Sequence, residues 1–271
     1  MRLAAGVHYV GTRFAGWQRQ PHALAVQSLV EEALTKIADH PVEVVCAGRT
    51  DAGVHSTAQV IHFDTEAQRA DRGWLLGANA ELPSDVALAW ISPVSPAFHA
   101  RFSALARSYR YLILNRPLRA PLWFGRACLW RQPLDANVMH DALQCLVGTH
   151  DFSSFRAAEC QSPTATRRIE RISVERHGDF VVLEVTANAF LHHMVRNIAG
   201  SALRVGEGAR EAPWIAEVLA SRDRRLAGLT APAGGLYFID VRYPADLGLP
   251  VKVLAPLSAI IGPSDLPMGS E

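Results

Sequence analysis

The pattern of apolar and polar positions divides the first hundred residues into short strands and amphipathic helices. The segment VQSLVEEALTKIAD (26–39) has apolar side chains at helical spacing, with acids and amides on the other side, which predicts a helix. A second helix is expected at 72–82, and the shorter apolar runs predict strands at 3–11, 42–48, 57–64 and 86–94. The order strand, helix, strand, strand, helix, strand is the split βαβ, or ferredoxin-like, arrangement.

The same order starts again after Pro93 and Pro96, which interrupt the pattern. The second half is expected to contain strands at 106–115 and 234–244, two strands between 167 and 188, and helices at 136–148, 189–208 and 214–221. The sequence therefore predicts an α+β fold of two ferredoxin-like halves, each with a mostly antiparallel sheet, which flank a central cleft. We expect domains at 1–100 and 101–250, and a flexible tail at 251–271.

Composition is that of an ordinary globular protein, since 49% of the 271 residues are apolar and 20% are charged. A chain of this length buries a full core without disulfides or metals. The four cysteines form no CxxC pair, so we expect reduced thiols. No signal-peptide pattern and no bilayer-length apolar run are present, so we expect a soluble, cytoplasmic protein without a membrane partner.

The net charge of +1 provides no strong overall field to attract a polyanion. Every Lys or Arg position other than Lys36 and Lys252 is nevertheless an arginine. This is either a coding bias or a preference for guanidinium groups, which bind phosphate and stack on bases. Composition leaves both explanations open.

The common motifs for metals, nucleotides and serine nucleophiles are missing from the sequence. It contains no HExxH or zinc-spaced Cys/His cluster, no GxxxxGK[ST] or GxGxxG loop, and no GxSxG elbow. His192 and His193 are adjacent, and on the helix expected there they would diverge by about 100°. One should then be buried and the other exposed. We therefore predict no metal and no cofactor.

The first candidate site is the box AGRTDAGVH (47–55), which follows a predicted strand. Asp51 could simply cap a backbone N–H in an Asx-type turn. Arg49, two residues earlier, could instead pair with this acid or reach a ligand. Gly48 and Gly53 allow a tight path and close approach by another molecule. These features indicate a site but specify no reaction.

Two further segments carry candidate residues. On the strand RSYRYLI, Tyr109 and Tyr111 share a face, where they either pack in the core or form a platform for an RNA base. On the helix expected around HHMVRN, His192 and Arg196 are four residues apart and share a face. Arg196 has apolar neighbours, so its guanidinium either extends to solvent or points at a carboxylate in the cleft.

Five stretches together give the chain a recognisable resemblance: AGRTDAGVHSTAQVIHF, FHARFSALARSYRYLILN, DFSSFR, NAFLHHMVRNIAGSALRVG and GLYFIDVRYP. From about Leu3 to Pro250 the chain resembles the bacterial tRNA pseudouridine synthase A family. The resemblance implies the pseudouridine synthase fold and conversion of uridines 38, 39 and 40 of the tRNA anticodon stem-loop into pseudouridine. It also implies a homodimer that shares one tRNA and needs no metal or small-molecule cofactor.

The resemblance also implies roles for individual residues. Asp51 falls on the essential aspartate of the family and Tyr109 on its active-site tyrosine. Three further residues are implied to bind substrate or line the cleft: Arg49, Arg196 and, in the last strand, Leu236. Tyr109 would stack on the uracil and could help to take the proton from C5.

The expected reaction breaks the N1–C1′ bond and rejoins the uracil through C5. An ionised carboxylate can attack C1′, add to C6 or remove a sugar proton, and the sequence leaves these three routes open. The target base must leave its stack, which costs a few kcal/mol, and Arg49 is a candidate to fill the vacancy or hold the flipped nucleotide. Arg196 is expected to pair with Asp51.

Two other functions compete with this hypothesis. The chain could be a tRNA-binding module without turnover, or a small-molecule lyase or hydrolase that uses Asp51. A binder has no need for the acid, the tyrosine and both arginines together, and no motif in the sequence supports a small-molecule enzyme. The sequence therefore favours the synthase.

Overall fold

The computed structural model of the protein describes residues 1–247 and 249. The first half contains β1 (Arg2–Tyr9), α1 (Val26–Ala38), β2 (Val45–Cys46), β3 (His55–Asp64), α2 (Asp71–Glu81) and β4 (Val86–Pro93). The second half contains β5 (Ala106–Asn115), β6 (Cys128–Trp130), α3 (Ala136–Leu143), β7 (Gly148–Asp151), β8 (Thr166–His177), β9 (Phe180–Ala187), α4 (Met194–Gly206), α5 (Trp214–Ser221) and β10 (Leu236–Arg242). The tail expected at 251–271 lies outside the described residues.

The predicted α+β class is confirmed, and each half has the strand order of a ferredoxin-like unit. In the first half β1 pairs antiparallel with β3 and β4, and β2 pairs antiparallel with β3. In the second half the antiparallel order is β10-β5-β9-β8, with β7 added at the outer edge. Six of the eight residues of β1 and seven of the ten residues of β3 are buried, so both faces of these strands are largely covered.

The two halves join in a single ten-stranded sheet rather than standing as separate sheets. The link is a short parallel pairing of β3 with β10, at His55–Tyr237 and Ser56–Phe238. Strand β2 has only two residues and pairs further along β3, so this end of β3 is left for β10. The connection brings the loop before β3 next to the second half of the chain.

Two apolar cores lie between the sheet and its helices. Helix α1 buries Val26, Val30, Ala33 and Leu34, each at most 2% exposed, against strands of the first half. A larger core lies beneath α3, α4 and α5 in the second half. Full burial of each Val or Leu side chain contributes about 1.5–3 kcal/mol, so both halves hold their helices firmly against the sheet.

Among the predicted elements that are shorter than expected, two have an identifiable reason. The strand expected at 42–48 is reduced because Val42 and Val44 donate their N–H groups to the side chains of Thr35 and Glu31 on α1. The helix expected at 189–208 begins at Met194, because His193 has a left-handed backbone with φ of 60° that an α-helix excludes. Residues 188–193 are therefore a loop.

All four cysteines of the chain, Cys46, Cys128, Cys145 and Cys160, are free thiols in the structure. In the part of the chain that the structure describes, no helix has both the length and the apolar character needed to span a membrane.

Candidate active site

The loop from Gly48 to His55 is held by hydrogen bonds at both of its ends. Near its start, buried Gln59 accepts from the Gly48 N–H at 3.3 Å and donates to the Gly48 carbonyl at 2.6 Å. The Thr50 hydroxyl lies 2.7 Å from the hydroxyl of Tyr9. Gly53 has φ of 80°, a left-handed conformation that favours glycine. The loop is therefore positioned by the fold, not by a ligand.

His55 fixes the other end of the loop and was not assigned a role from the sequence. Its Nδ1 accepts the Gly11 N–H at 3.0 Å, and its Nε2 lies 2.9 Å from the carbonyl oxygen of Gly125 and 3.2 Å from that of Gly234. Burial lowers the pKa of His55, which agrees with a neutral ring that accepts at one nitrogen and donates at the other. His55 thus ties the loop to three other segments.

The carboxylate of Asp51 lies among three side chains from the second half. Its Oδ1 is 3.4 Å from His192 Nε2, and its Oδ2 is 3.5 Å from both His193 Nε2 and Arg196 Nη1. Among the described residues this carboxylate accepts no backbone N–H, so it is not the cap of an Asx turn. The turn is made by the main chain, where the Val54 N–H donates to the Asp51 carbonyl at 3.1 Å.

Arg196 points at the carboxylate and does not extend along the surface to solvent. Its side chain is 16% exposed, and its Nε donates to the Ala231 carbonyl at 2.8 Å. The Ala231 N–H donates back to the Arg196 carbonyl at 3.1 Å. Segment 228–231 approaches α4 closely because Gly200 has no side chain: a Cβ there would lie 1.7 Å from the Leu229 carbonyl oxygen. The small residue therefore orients the guanidinium.

The expectation for the two histidines was wrong in two respects. They precede α4 instead of lying on it, so their rings do not diverge, and the ring centroids are 4.0 Å apart. Neither histidine is fully buried or fully exposed, since the side chain of His192 is 37% exposed and that of His193 is 26% exposed. The left-handed backbone of His193 turns both rings towards Asp51. This loop conformation could not be read from helical spacing.

Tyr109 and Tyr111 share a strand face but have different surroundings. The Tyr109 ring stacks on Phe238 at 4.9 Å and meets Phe190 edge-on at 5.0 Å, and only 8% of the residue is exposed. Burial raises the pKa of the Tyr109 phenol well above its ordinary value, and Tyr9 and Asp51 add to the shift. Tyr111 is fully buried and donates to the Pro232 carbonyl at 2.8 Å, so it belongs to the core.

The other two predicted site residues do not contact the carboxylate. Arg49 is exposed and forms no hydrogen bond or ion pair within the described ranges 1–247 and 249. Leu236 is 5% exposed and lies opposite Tyr111 in the β5–β10 pairing, so it packs in the core beside the site. The structure thus brings Asp51 and Arg196 together, adds the two histidines, and leaves Arg49 free on the surface.

The ligand atoms of Asp51, His192 and His193 lie within 4.8 Å of one another, close enough to hold a metal ion. Arg196 and the N-terminus of α4 place positive charge beside the same carboxylate. This field opposes a cation and favours a neutral or anionic molecule. The arrangement provides an oriented acid, a fixed positive charge and two imidazoles that can exchange protons.

Comparison with known proteins gives a consistent result. The family model described as tRNA pseudouridine synthase matches residues 5–103 and 142–244. The tRNA pseudouridine synthase A of Aeromonas hydrophila is 56% identical over 257 residues, which cover 95% of this chain and 96% of that protein. The enzymes of the same name from Photorhabdus laumondii and Colwellia psychrerythraea are 50% and 52% identical over 95% of this chain, covering 97% and 99% of those proteins.

Proposed function

The chain belongs to the tRNA pseudouridine synthase family, whose reaction is an isomerisation, and we propose that it converts uridines 38, 39 and 40 of the tRNA anticodon stem-loop into pseudouridine. We assign the catalytic role to Asp51. The observation that carries this assignment is the contact of its carboxylate with Arg196 and two imidazoles from the other half of the chain.

The chemistry explains why a carboxylate beside a guanidinium suffices. The reaction adds no group to the substrate, so the proposed enzyme needs no cofactor. Asp51 acts on the ribose or the uracil, and the permanently charged Arg196 holds it as an oriented anion at 3.5 Å. When RNA covers the cleft and excludes water, this charge pair becomes stronger. Attack at C1′, addition to C6 and removal of a sugar proton all use the same carboxylate.

Tyr109 and the residues around it are proposed to receive the uracil. One aromatic neighbour, Phe238, backs the Tyr109 ring, and Phe190 meets it edge-on from the loop before α4. Movement of Phe190 would open a flat surface on which a flipped base can stack. Leu236 packs in the adjacent core and supports the stacked rings of Tyr109 and Phe238.

Arg49 is proposed to act on the RNA and not on Asp51. Its guanidinium is exposed and has no ion-pair partner among the residues described, and it lies two positions from the catalytic acid. It can therefore fill the space left by the flipped uridine or hold a neighbouring phosphate. Loss of Arg49 should affect flipping more than bond breaking.

Two copies of the chain are proposed to share one tRNA. The apolar side chains of Leu118, Leu122 and Phe124 are 70%, 87% and 86% exposed, which supports a surface that a second copy covers. We assign the protein to the cytoplasm, where its tRNA substrate is found. We keep residues 1–100 and 101–250 as the two domains, one contributing Asp51 and the other Tyr109 and Arg196.

The test uses unmodified tRNA that carries tritium at uracil C5. A synthase releases the label and leaves the chain intact. A binding module releases nothing, and a lyase or hydrolase cuts a bond without forming pseudouridine. Transcripts with a single uridine at 38, 39 or 40 identify the positions used, and failure to release label from all three would refute the proposal.

A further inference from the structure

A short turn at residues 99–103, just before β5, presents an aromatic ring at the surface. The backbone N–H groups of Arg101 and Phe102 both donate to Nδ1 of His99, at 3.2 Å and 3.1 Å. The Ser103 N–H donates to the His99 carbonyl oxygen at 2.9 Å, which closes the turn. The Phe102 ring stacks on the His99 ring, with centroids 4.3 Å and planes 28° apart. The turn therefore fixes one face of the Phe102 ring, although the residue is 77% exposed.

The turn lies beside the start of the loop that carries the catalytic acid, because Arg107 connects the two. Its Nη2 donates to the Ala47 carbonyl at 3.0 Å and to the Arg101 carbonyl at 2.6 Å, so these two oxygens are close neighbours. Burial raises the pKa of the Cys46 thiol to about 11, and the charges of Arg49 and Arg101 both oppose this rise. The turn is therefore next to Arg49, which is proposed above to act on the RNA.

The positive charge of this surface is not neutralised by acids. Arg49 and Arg101 form no ion pair within residues 1–247 and 249. Arg107 donates to backbone carbonyl oxygens and, in the same ranges, to no carboxylate. Three guanidinium groups without acid partners attract phosphate. A second protein surface without acids would bury these charges at a cost, whereas RNA brings the opposite charge with it.

An exposed phenylalanine alone would need no explanation, since single apolar side chains are common on protein surfaces. Phe102 differs because its ring is held in place and has unpaired guanidinium groups beside it. Sheet and loop proteins bind single-stranded RNA with this combination, in which aromatic rings stack on bases and arginines bind the backbone. The Arg101 guanidinium carbon lies 5.6 Å from the Phe102 ring centroid. Such a contact is weak at an exposed site, so Arg101 can turn to a phosphate and leave the ring to a base.

We propose that Arg101 and Phe102 hold an unpaired nucleotide of the RNA beside the target uridine, an inference that rests on the synthase function proposed above. Phe102 stacks on the base with the ring face turned away from His99, and Arg101 binds an adjacent phosphate. A base must be unstacked to meet the ring, so this nucleotide comes from the anticodon loop and not from the paired stem. The turn thereby fixes the RNA next to the point where the uridine leaves its stack.

The test is a double-mutant cycle on RNA binding, run with the Asp51→Asn protein so that no turnover occurs during the measurement. Phe102→Ala is added to this protein and combined with anticodon stem-loops that lack one loop base each, so that an abasic site replaces it. We expect Phe102→Ala to weaken binding about 10- to 100-fold, the usual effect of losing one base stack. One abasic position should cost a similar factor, and the two losses together should not add.

Conservative variants separate stacking from general apolar contact. Phe102→Tyr keeps an aromatic face and should bind like its parent, whereas Phe102→Leu should lose nearly as much as Phe102→Ala. Arg101→Gln should reduce the slope of log affinity against log salt by about 1, because one phosphate contact is lost. The controls Arg72→Gln and Leu76→Ala remove exposed side chains of α2 and should change neither affinity nor slope.

Unchanged binding by Phe102→Ala would overturn the proposal, and so would losses that add fully at every abasic position. If Phe102 instead packs against a second copy of the chain, Phe102→Leu would keep its affinity for RNA. Phe102→Ala would then weaken the protein dimer in sedimentation experiments, which also overturns the proposal. The proposed function fails separately: the wild-type protein would release no tritium from uracil C5, even where the binding cycle shows coupling between Phe102 and a loop base.

Discussion

Replacement of Gly200 by alanine should displace the neighbouring segment that orients Arg196, without changing a catalytic side chain. The new Cβ would lie 1.7 Å from the Leu229 carbonyl oxygen and 2.9 Å from its carbonyl carbon. A carbon and a carbonyl oxygen approach to about 3.3 Å at the closest, so the 228–231 segment must move by about 1.5 Å. This segment includes Ala231, whose carbonyl accepts from Arg196 Nε.

We expect two measurable effects of Gly200→Ala. A displacement of about 1 Å at a catalytic group can reduce the rate about 100-fold, so kcat should fall by about this factor. Overpacking of a tight contact lowers the free energy of unfolding by about 1–3 kcal/mol. Binding of tRNA should change little, because Arg49, an exposed residue that is proposed to act on the RNA, remains in place. Single-turnover pseudouridine formation, denaturant unfolding and filter binding measure these quantities.

Gly73→Ala is the matched control, since Gly73 also lies in a helix but has open space where its Cβ would be. Alanine there should stabilise the protein by up to about 1 kcal/mol, because alanine favours a helix more than glycine does. Its activity should equal that of the wild type. A Gly200→Ala variant with wild-type kcat and stability would refute the idea that this contact orients Arg196.

Three other changes test separate parts of the account. Arg196→Lys keeps a positive charge but cannot donate to the Ala231 carbonyl and approach Asp51 at the same time, so kcat should fall about 10- to 100-fold. The control Arg204→Lys, on the same helix, should have no effect on kcat. Arg49→Ala should slow reaction at a paired uridine more than at an unpaired one, with the free energy of unfolding unchanged within about 0.5 kcal/mol. Burial lowers the pKa of His62 to about 4 from 6.5. The unfolded chain therefore binds this proton first, and about 3 kcal/mol of stability should be lost as pH falls from 6.5 to 4. His62→Asn, which keeps an acceptor for the Ala100 N–H, should flatten that dependence in urea titrations at each pH.

Much of the fold followed from periodicity, because helix and strand faces that become buried must be apolar at regular spacing. The strand at 106–115 and the helix at 214–221 have the predicted bounds. Local patterns could not show that β3 and β10 pair in parallel, since this contact joins residues about 180 positions apart. They also could not show that Val42 and Val44 hydrogen-bond to side chains of α1.

The contacts of residues in recognisable motifs could be predicted from the sequence. Contacts that depend on an unusual backbone conformation could not. Asp51 and Arg196 were expected to pair, and they lie 3.5 Å apart. The histidines were misplaced because the pattern continued the helix through His193, whose φ of 60° ends it. A histidine is among the residues that tolerate this conformation, but nothing in the sequence requires it. Arg49 has no partner in the described part of the chain, and its proposed action on the RNA stays a prediction.

The most direct test of the account is the Asp51→Asn variant, which keeps the shape of the side chain but removes its charge and its ability to attack or accept a proton. We expect pseudouridine formation to be lost while tRNA affinity and the thermal unfolding temperature stay close to those of the wild type. Substantial turnover by Asp51→Asn on the same tRNA would contradict the assignment of the reaction to this carboxylate.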